Sequence, residues 1–482
     1  MNTTDLSSRF AAWWESLPEA RRLALAADLA KGVEEDGLTV FRADEARFHP
    51  IPTVLSPQPI AEKTLAALSA DARLLLTATT KVATWTLSER GRRVGRRLYV
   101  SFTPLEWQCL ADPARLQQVA TARVDTFLDP AGTPRVLEMN ATIPAMQGYS
   151  DILAHRWIRL VSRERGLGHE TAEQLVAQAG SNTADLLVSL VAHFHKAGGK
   201  ADRPSILIVS RRGDAQLGEL KHYERAFAAA GHRALHVFVD EIALDHEGHV
   251  RARGERFDLV YRHVFARRVD PTSALARLFV NPGPNVVLNP VVSPLEVKGV
   301  LALLSRAASD HALSDECGLS MEELDAVRRT VPWTRVLSAE PAVLPDGSRV
   351  PDLAKWTSEH PSGLVIKRSW DYGGKGVVLG PDAPGWRGAV AQAVAETDPW
   401  VVQELVPPRP VRHLLLRRDS GGGVVPGWQE LFVDVSAYAN QGVDVYPRGG
   451  VCRASGSKIV NILGGGGLTP LISTAVLEAL LP

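Results

Sequence analysis

The chain has 482 residues, 45% hydrophobic and 22% charged, which suits a globular protein of two or three domains. Lys plus Arg and Asp plus Glu each total 54, so the formal net charge is zero; with no long single-sign run, neither nucleic acid nor a membrane surface is implied as a partner. Cys109, Cys317 and Cys452 stand far apart and outside any CxxC spacing, which excludes a disulfide framework and a structural zinc site.

The opening residues, MNTTDLSSRFAAWWESL, carry neither a basic n-region nor an apolar h-region. No apolar run approaches the ~18–20 residues of a membrane span. A cytoplasmic location is expected. Alanine, leucine and arginine at helical spacing predict helices over 18–32 and 60–78. The pattern then turns to strand between 121 and 140: ARVDTFL, the turn DPAGTP, and RVLEMN. Centring this hairpin on its turn puts Asp125 opposite Glu138 and Arg123 opposite Asn140, and alternation sets all four on one face. Facing carboxylates repel unless a cation lies between them, and Asp, Glu and Asn oxygens suit a hard divalent ion such as Mg2+. A solvated hairpin with one Arg–carboxylate pair is the other reading of the same residues.

A helix over 181–197 should end at Gly198-Gly199. A strand–helix–strand unit follows, with SILIVS at 205–210, a helix at 219–231 and ALHVFVDE at 234–241. FDLVYRH at 257–263 and VVLNPVV at 286–292 extend it into a small doubly wound parallel sheet. A helix is expected over 294–308. Next comes LVIKRSWDYGGKGVVLG at 364–380, where a β-type run ends at Lys367 and Arg368 and another starts at Val377. Between them Gly373, Gly374 and Gly376 surround Lys375. Strand, basic glycine turn and strand make a hairpin whose backbone amides can approach a polyanion closely. A glycine hairpin without a ligand is an equal reading of this segment alone. Strands at 400–406 and 428–435, a strand connection tipped by the glycines at 421–423, and a helical tail, LISTAVLEALL, complete the chain.

Several chemistries lack their motifs. There is no HExxH, no GxxxxGK[ST], no HRD-type loop and no Ser–His–Asp context. His193 and His195 sit in the last turn of a helix, where the dipole favours a cation, and need no further role.

In their order, these elements resemble the ATP-grasp carboxylate–amine ligases, in the permuted arrangement of glutathione synthetase and glutathionylspermidine synthase. That family has an Arg-x-Asp strand followed by a Glu-x-Asn strand, here Arg123-Val124-Asp125 and Glu138-Met139-Asn140. A Rossmann-like substrate domain comes next, then a helix with a nucleotide-reaching lysine, here Lys298. A hairpin lid carries Lys367 and, four residues on, the acidic Asp371. A strand with a polar adenine hinge follows, here Gln403, Glu404 and Leu405. Near the end stand an arginine strand with Arg453 and a glycine-rich loop, Gly464 to Gly467. Glutathione-type substrate signatures are absent.

The resemblance implies an α/β (α+β) ATP-grasp fold with an inserted small Rossmann-like parallel-sheet domain and a β-hairpin lid. Residues 1–198 would form the helical region with the metal-binding hairpin, 199–292 the substrate domain, and 293–482 the nucleotide-binding region with its lid at about 330–385. It implies an amide- or peptide-forming ligase using ATP and Mg2+ through an acyl phosphate. Asp125, Glu138, Asn140 and Asp371 would hold metal. Lys298, Lys367, Gly373, Gly374, Lys375, Gly376, Gln403, Glu404 and Leu405 would bind the nucleotide, with Arg123, Arg453 and Lys367 catalytic. Gln216, Glu219 and Arg262, at the carboxyl ends of parallel strands, would touch substrate, as would Gly464, Gly465 and Gly466. Exposed polar loops and an ion pair account equally well for Gln216, Glu219 and Arg262. The partners are then a small-molecule or peptide carboxylate and an amine, with no nucleic acid and no membrane; a homodimer is left open. A phosphotransferase on the same fold and a non-catalytic nucleotide-binding regulator are the other readings.

Overall fold

The computed structural model describes residues 3–129, 132–371, 373–419, 421–442, 449–462 and 467–482. The helix expected over 18–32 is present as Glu19–Glu35, and the 26-residue α1 (Glu62–Leu87) outruns its expected end at 78 because no glycine or proline interrupts it, burying Leu68, Leu75, Leu76 and Val82. It packs under the hairpin of β1 (Arg123–Leu128) and β2 (Pro134–Asn140), which pairs as expected: Arg123 opposite Asn140, Asp125 opposite Glu138. A bulge interrupts the ladder just beyond, so that Thr126 pairs with Val136 and Leu137 is passed over. After it come α2 (Gln147–Glu164) and α3 (Asn182–Lys196).

The predicted parallel sheet is present. Its strands β3 (Ile206–Ser210), β4 (Ala234–Phe238), β5 (Leu259–His263) and β6 (Val286–Leu288) stand in the order β6-β5-β3-β4. Every residue of β3 and β5 is buried, as continuous apolar runs in a two-sided sheet require. On one face lie α3 and α4 (Leu217–Ala229), through Leu186, Leu190, Leu220, Tyr223 and Phe227. A meander over 242–256, not expected, forms a separate three-stranded antiparallel sheet.

Pro294 sits in a 3-10 turn over Ser293–Glu296, so α5 (Lys298–Ala307) begins four residues later than expected, with Lys298 in its first turn. A four-stranded antiparallel sheet follows, built from β7 (Thr334–Val336), β8 (Leu364–Arg368), β9 (Val377–Leu379) and β10 (Trp400–Glu404) in the order β7-β10-β8-β9. The β8–β9 pair is the predicted glycine hairpin. The chain then runs through β11 (Pro410–Arg418) and the 15-residue β12 (Val424–Tyr438), joined at the expected glycine tip, where Asp419 Oδ1 accepts from the amides of Gly421 and Gly423. With β13 (Val451–Ser455) and β14 (Gly467–Thr469), these complete a six-stranded sheet in the order β14-β13-β12-β1-β2, with β11 alongside β12.

The tail departs from expectation. Leu471–Ser473 is a strand, parallel to Gln58–Ile60, and only Thr474–Leu480 is helical. Burial of Ile472 between α2 and the N-terminal helices outweighs the local helical spacing. Among the described residues no single helix is long and apolar enough to cross a membrane.

Candidate active site

A cavity of about 320 Å³ opens where the three sheets meet. The β1–β2 hairpin contributes Arg123, Asp125, Glu138 and Asn140, α5 contributes Lys298, and the antiparallel sheet contributes Lys367, Asp371, Gly373, Gly374, Lys375 and Gln403. Glu138 and Asp371 therefore face one space although 233 positions separate them. The contact that joins them is Lys298. Its Nζ is 3.0 Å from Glu138 Oε2 and donates to the backbone carbonyl of Asp371 at 2.7 Å.

Lys367 stands beside this pair. Its Nζ donates to Gln403 Oε1 at 2.6 Å and to the carbonyl of Leu137 at 3.2 Å. Burial, with Lys298 nearby, pulls its ammonium down to about 8 against the opposing pull of Glu138. Gln403 in turn donates to Thr334 Oγ1 at 2.9 Å, so its side chain holds the lysine. Of the residues expected at the adenine hinge, Leu405 lines the cavity, as do Val406 and Pro408. Glu404 does not; its exposed carboxylate is 3.8 Å from Arg135 Nη2.

At the floor of the cavity two arginines and two aspartates form a closed network. Arg123 grips both oxygens of Asp125, with Nε at 2.6 Å and Nη2 at 3.0 Å, and its Nη1 donates to the carbonyl of Ala145 at 2.8 Å. Arg453 reaches Asp125 Oδ2 at 2.7 Å and pairs with Asp434 through Nε at 2.9 Å and also through Nη2. Burial alone would raise the Asp125 carboxyl; the two guanidiniums more than offset it and hold it well below the usual range. Asp434, on β12, was not anticipated.

Both oxygens of Asp125, expected to help hold a metal, are engaged by guanidinium groups. The other expected ligands fit a hard cation by their chemistry. Glu138 and Asp371 offer carboxylates to the same space, and the half-buried Asn140, whose side chain carries an amide oxygen, lines it too. Among the described residues no three His, Cys, Asp or Glu stand close enough to hold a metal by themselves. One or two carboxylates supplemented by ligand oxygens is the usual provision for Mg2+ rather than for zinc.

The glycine turn covers one side. Gly373, Gly374 and Gly376 have φ of 68°, 75° and 61°, the left-handed region that a side chain disfavours. A Cβ on Gly374 would stand 2.5 Å from Ile459 Cγ2. Ile459 belongs to the segment after β13, where Asn461 Nδ2 donates to the Gly373 carbonyl at 2.8 Å and Lys458 pairs with Asp382 at 2.7 Å. Lys458 and Asn461 also line the cavity and were not anticipated. Gly464, Gly465 and Gly466 lie outside the described residues.

The opposite wall comes from the parallel sheet. Arg211, Asp214 and Gln216 follow β3, and Val264, Phe265 and Arg268 follow β5. Gln216 is thus where a substrate contact was expected. Glu219 and Arg262 are not, and both expectations are corrected. Glu219 is fully buried, and its carboxylate accepts from the amides of Met146 at 3.1 Å and Gly148 at 2.9 Å and from the Tyr223 hydroxyl at 2.8 Å. It caps the start of α2, whose N-cap Met146 adopts a φ of 83°. Arg262 spends its guanidinium on the carbonyls of Asn289, Val264 and Pro290.

The fold has a counterpart among solved structures. Over nearly its whole length the chain is similar to the glutathione synthetase-like effector GSS30 of Globodera pallida in its apo form, at 11% identity, covering 95% of this chain and 98% of that one with a TM-score of 0.58. Partial matches include D-alanyl-alanine synthetase A of Vibrio cholerae O1 biovar eltor, at 12% identity over 49% of this chain and 68% of that one (TM-score 0.24). A RimK domain ATP-grasp protein of Sphaerobacter thermophilus matches at 15% identity over 57% of this chain and 94% of that one (TM-score 0.24). No protein-family model and no curated protein matches the sequence.

Proposed function

We propose that this chain is an ATP-dependent carboxylate–amine ligase. One observation carries the reading: Lys298 bridges Glu138 and the Asp371 backbone beside a second buried lysine, under a glycine turn. Phosphoryl transfer to a carboxylate brings two anions together, and fixed positive charge in a water-poor cavity is what lowers that barrier. In the proposed reaction a carboxylate oxygen attacks the γ-phosphorus of ATP and ADP departs. The amine nitrogen then attacks the acyl carbon and phosphate leaves, with one proton lost from nitrogen.

Lys298 and Lys367 would neutralise phosphate oxygens, and the amides of Gly373, Gly374 and Gly376 would close over them. Glu138, Asn140 and Asp371 would hold Mg2+, which supplies charge neutralisation at the phosphates. Arg453, whose side chain keeps 14% of its surface exposed at the cavity, would face the acyl oxygen, while Arg123 acts with Asp125 to fix it. The wall of Arg211, Gln216 and Arg268 would receive the acid or the amine. Closure of the turn against Ile459 would keep water from the acyl phosphate.

The test supplies ATP and Mg2+ with panels of amino acids and short peptides and follows ADP and phosphate. Release of both only when acid and amine are present together supports ligation. A stable phosphorylated product formed without amine would mark a phosphotransferase, and nucleotide binding without turnover on any panel a regulator.

A further inference from the structure

Trp370 takes no part in the chemistry proposed above, yet it immediately precedes Asp371 and packs against Arg267 of the turn after β5. The backbone on both sides of it is tied to the start of α5. Lys298 N donates to the Ser369 carbonyl at 2.8 Å, Gly299 N to Ser369 Oγ at 2.9 Å, and Lys298 Nζ to the Asp371 carbonyl at 2.7 Å. The indole itself points the other way. Arg267 Cζ stacks 3.3 Å from its ring centroid, and the Phe102 ring meets it edge-on at 4.6 Å.

Arg267 does not float over this ring. Its Nε is 3.6 Å from Glu106 Oε1, on a carboxylate with no exposed surface, and its Nη2 donates to the Ser101 carbonyl at 3.3 Å. It belongs to the short 3-10 turn Ala266–Arg268 after β5, whose neighbours Phe265 and Arg268 form the wall opposite the glycine hairpin. A planar guanidinium held at one edge and flat against an indole is a rigid coupling, because both partners have few rotamers left to lose.

We propose that the Arg267–Trp370 stack is a positioning latch: it fixes Asp371 at a set distance from the wall formed by the turn after β5. Neither residue is catalytic; they act through Asp371. This rests on the nucleotide-binding reading given above. Loosening the stack frees residues 369–371 on one side only, so the part of nucleotide affinity that depends on Mg2+ should suffer, while the part supplied by Lys367 should not.

The test measures binding of AMP-PNP to the full chain by titration calorimetry with and without Mg2+. Variants W370A, W370F, R267A and the double variant W370A/R267A are compared with wild type. W370A and R267A are each expected to lose about three- to thirtyfold of the gain that Mg2+ brings, the range for losing one cation–π contact. Affinity without Mg2+ should stay within about twofold, W370F should keep most of the gain, and the double variant should be no worse than either single one. An unchanged Mg2+ gain in W370A and R267A, additive losses, or equal losses with and without the ion would overturn the latch while leaving nucleotide binding intact. If wild type itself binds no AMP-PNP, the nucleotide reading fails and the latch with it.

Discussion

Arg453 Nη2 stands 2.7 Å from Asp125 Oδ2 while its Nε stands 2.9 Å from Asp434 Oδ2, so one guanidinium is shared between two buried carboxylates. With Arg123 on the other side of Asp125, two positive and two negative groups balance one another. Removing one charge from such a network leaves another buried and unpaired, at a cost of about 3–5 kcal/mol. Asp125→Asn is therefore expected to lower the melting temperature sharply and to disable turnover, as is Asp434→Asn. Thermal denaturation checks this; a normal melting temperature with a selective loss of Mg2+ dependence would return Asp125 to the ion. The arginines depress the Asp125 carboxyl despite burial, so its stabilisation is complete above its ordinary value near ~3.9 and is lost only in stronger acid.

Lys367 sets a pH limit on nucleotide binding. Burial lowers its ammonium to about 8, so between there and its ordinary value the folded chain holds fewer protons than the unfolded one. Its penalty on stability is present below pH 8 and is relieved as the pH rises above it. Its charge, by contrast, is lost over the same rise. Nucleotide affinity should weaken above about pH 8 in the wild type, and Lys367→Arg should flatten that limb. Lys367→Ala should cost about 1.5–3 kcal/mol of affinity, the scale of a charge-assisted hydrogen bond. Titration across pH 6–9 is the measurement, and a wild-type curve flat through pH 8 would take Lys367 off the phosphates.

Glu219 gives the opposite slope. Burial, against its three donors, raises the carboxyl to about 7. The folded chain then binds more protons than the unfolded one from ~4.3 up to about 7, so this group's contribution is full below ~4.3 and is lost as the pH rises through 7. Glu219→Gln should remove that slope. It should also cost about 1–3 kcal/mol at every pH, because one oxygen cannot satisfy both the Met146 and the Gly148 amides. Melting curves at pH 5 and pH 7.5 decide it; equal losses of slope and stability in Glu219→Asp would point instead to packing.

At Gly374, alanine would meet both a φ of 75° and Ile459 Cγ2 at 2.5 Å. Gly374→Ala is expected to weaken nucleotide binding tenfold or more, with about 1–2 kcal/mol of local strain. Adding Ile459→Ala should restore part of the affinity by opening space, while the backbone cost stays. No rescue at all would mean the contact with Ile459 is incidental.

Much of this site was legible in the sequence because its parts are local. The expected pairing of Asp125 with Glu138 is present, though the bulge at Leu137 rather than the symmetry of the turn produces it, and the glycines around Lys375 announced the β8–β9 hairpin. Order along the chain then brought Lys298 and Asp371 to the same place. What escaped depends on distance through space. Asp434 sits mid-strand in β12 with no motif around it, and only the pairing of β12 with β13 sets it against Arg453. Arg262 lies at the expected strand end and Glu219 in the first turn of α4, but position along the chain cannot tell a carboxylate that caps another helix from one that meets a ligand. Gln403, expected at the hinge, lines the cavity and also braces Lys367, a contact that only the pairing of β10 with β8 reveals.

The irregular step in the β1–β2 ladder reaches further than its single residue. With Leu137 skipped, Val136 joins Val124 and Met139 in the hydrophobic interior, while Glu138 and Asn140 still turn toward the cavity. Uninterrupted two-residue parity would have sent Val136 to the same side as Glu138, an oily neighbour for an acid meant to meet cations. The same step leaves the Leu137 carbonyl turned to Lys367. Giving Leu137 a partner, by inserting a residue between Asp125 and Thr126, would thus force this ribbon to choose between its greasy side and its charged one, and either choice would dismantle the other.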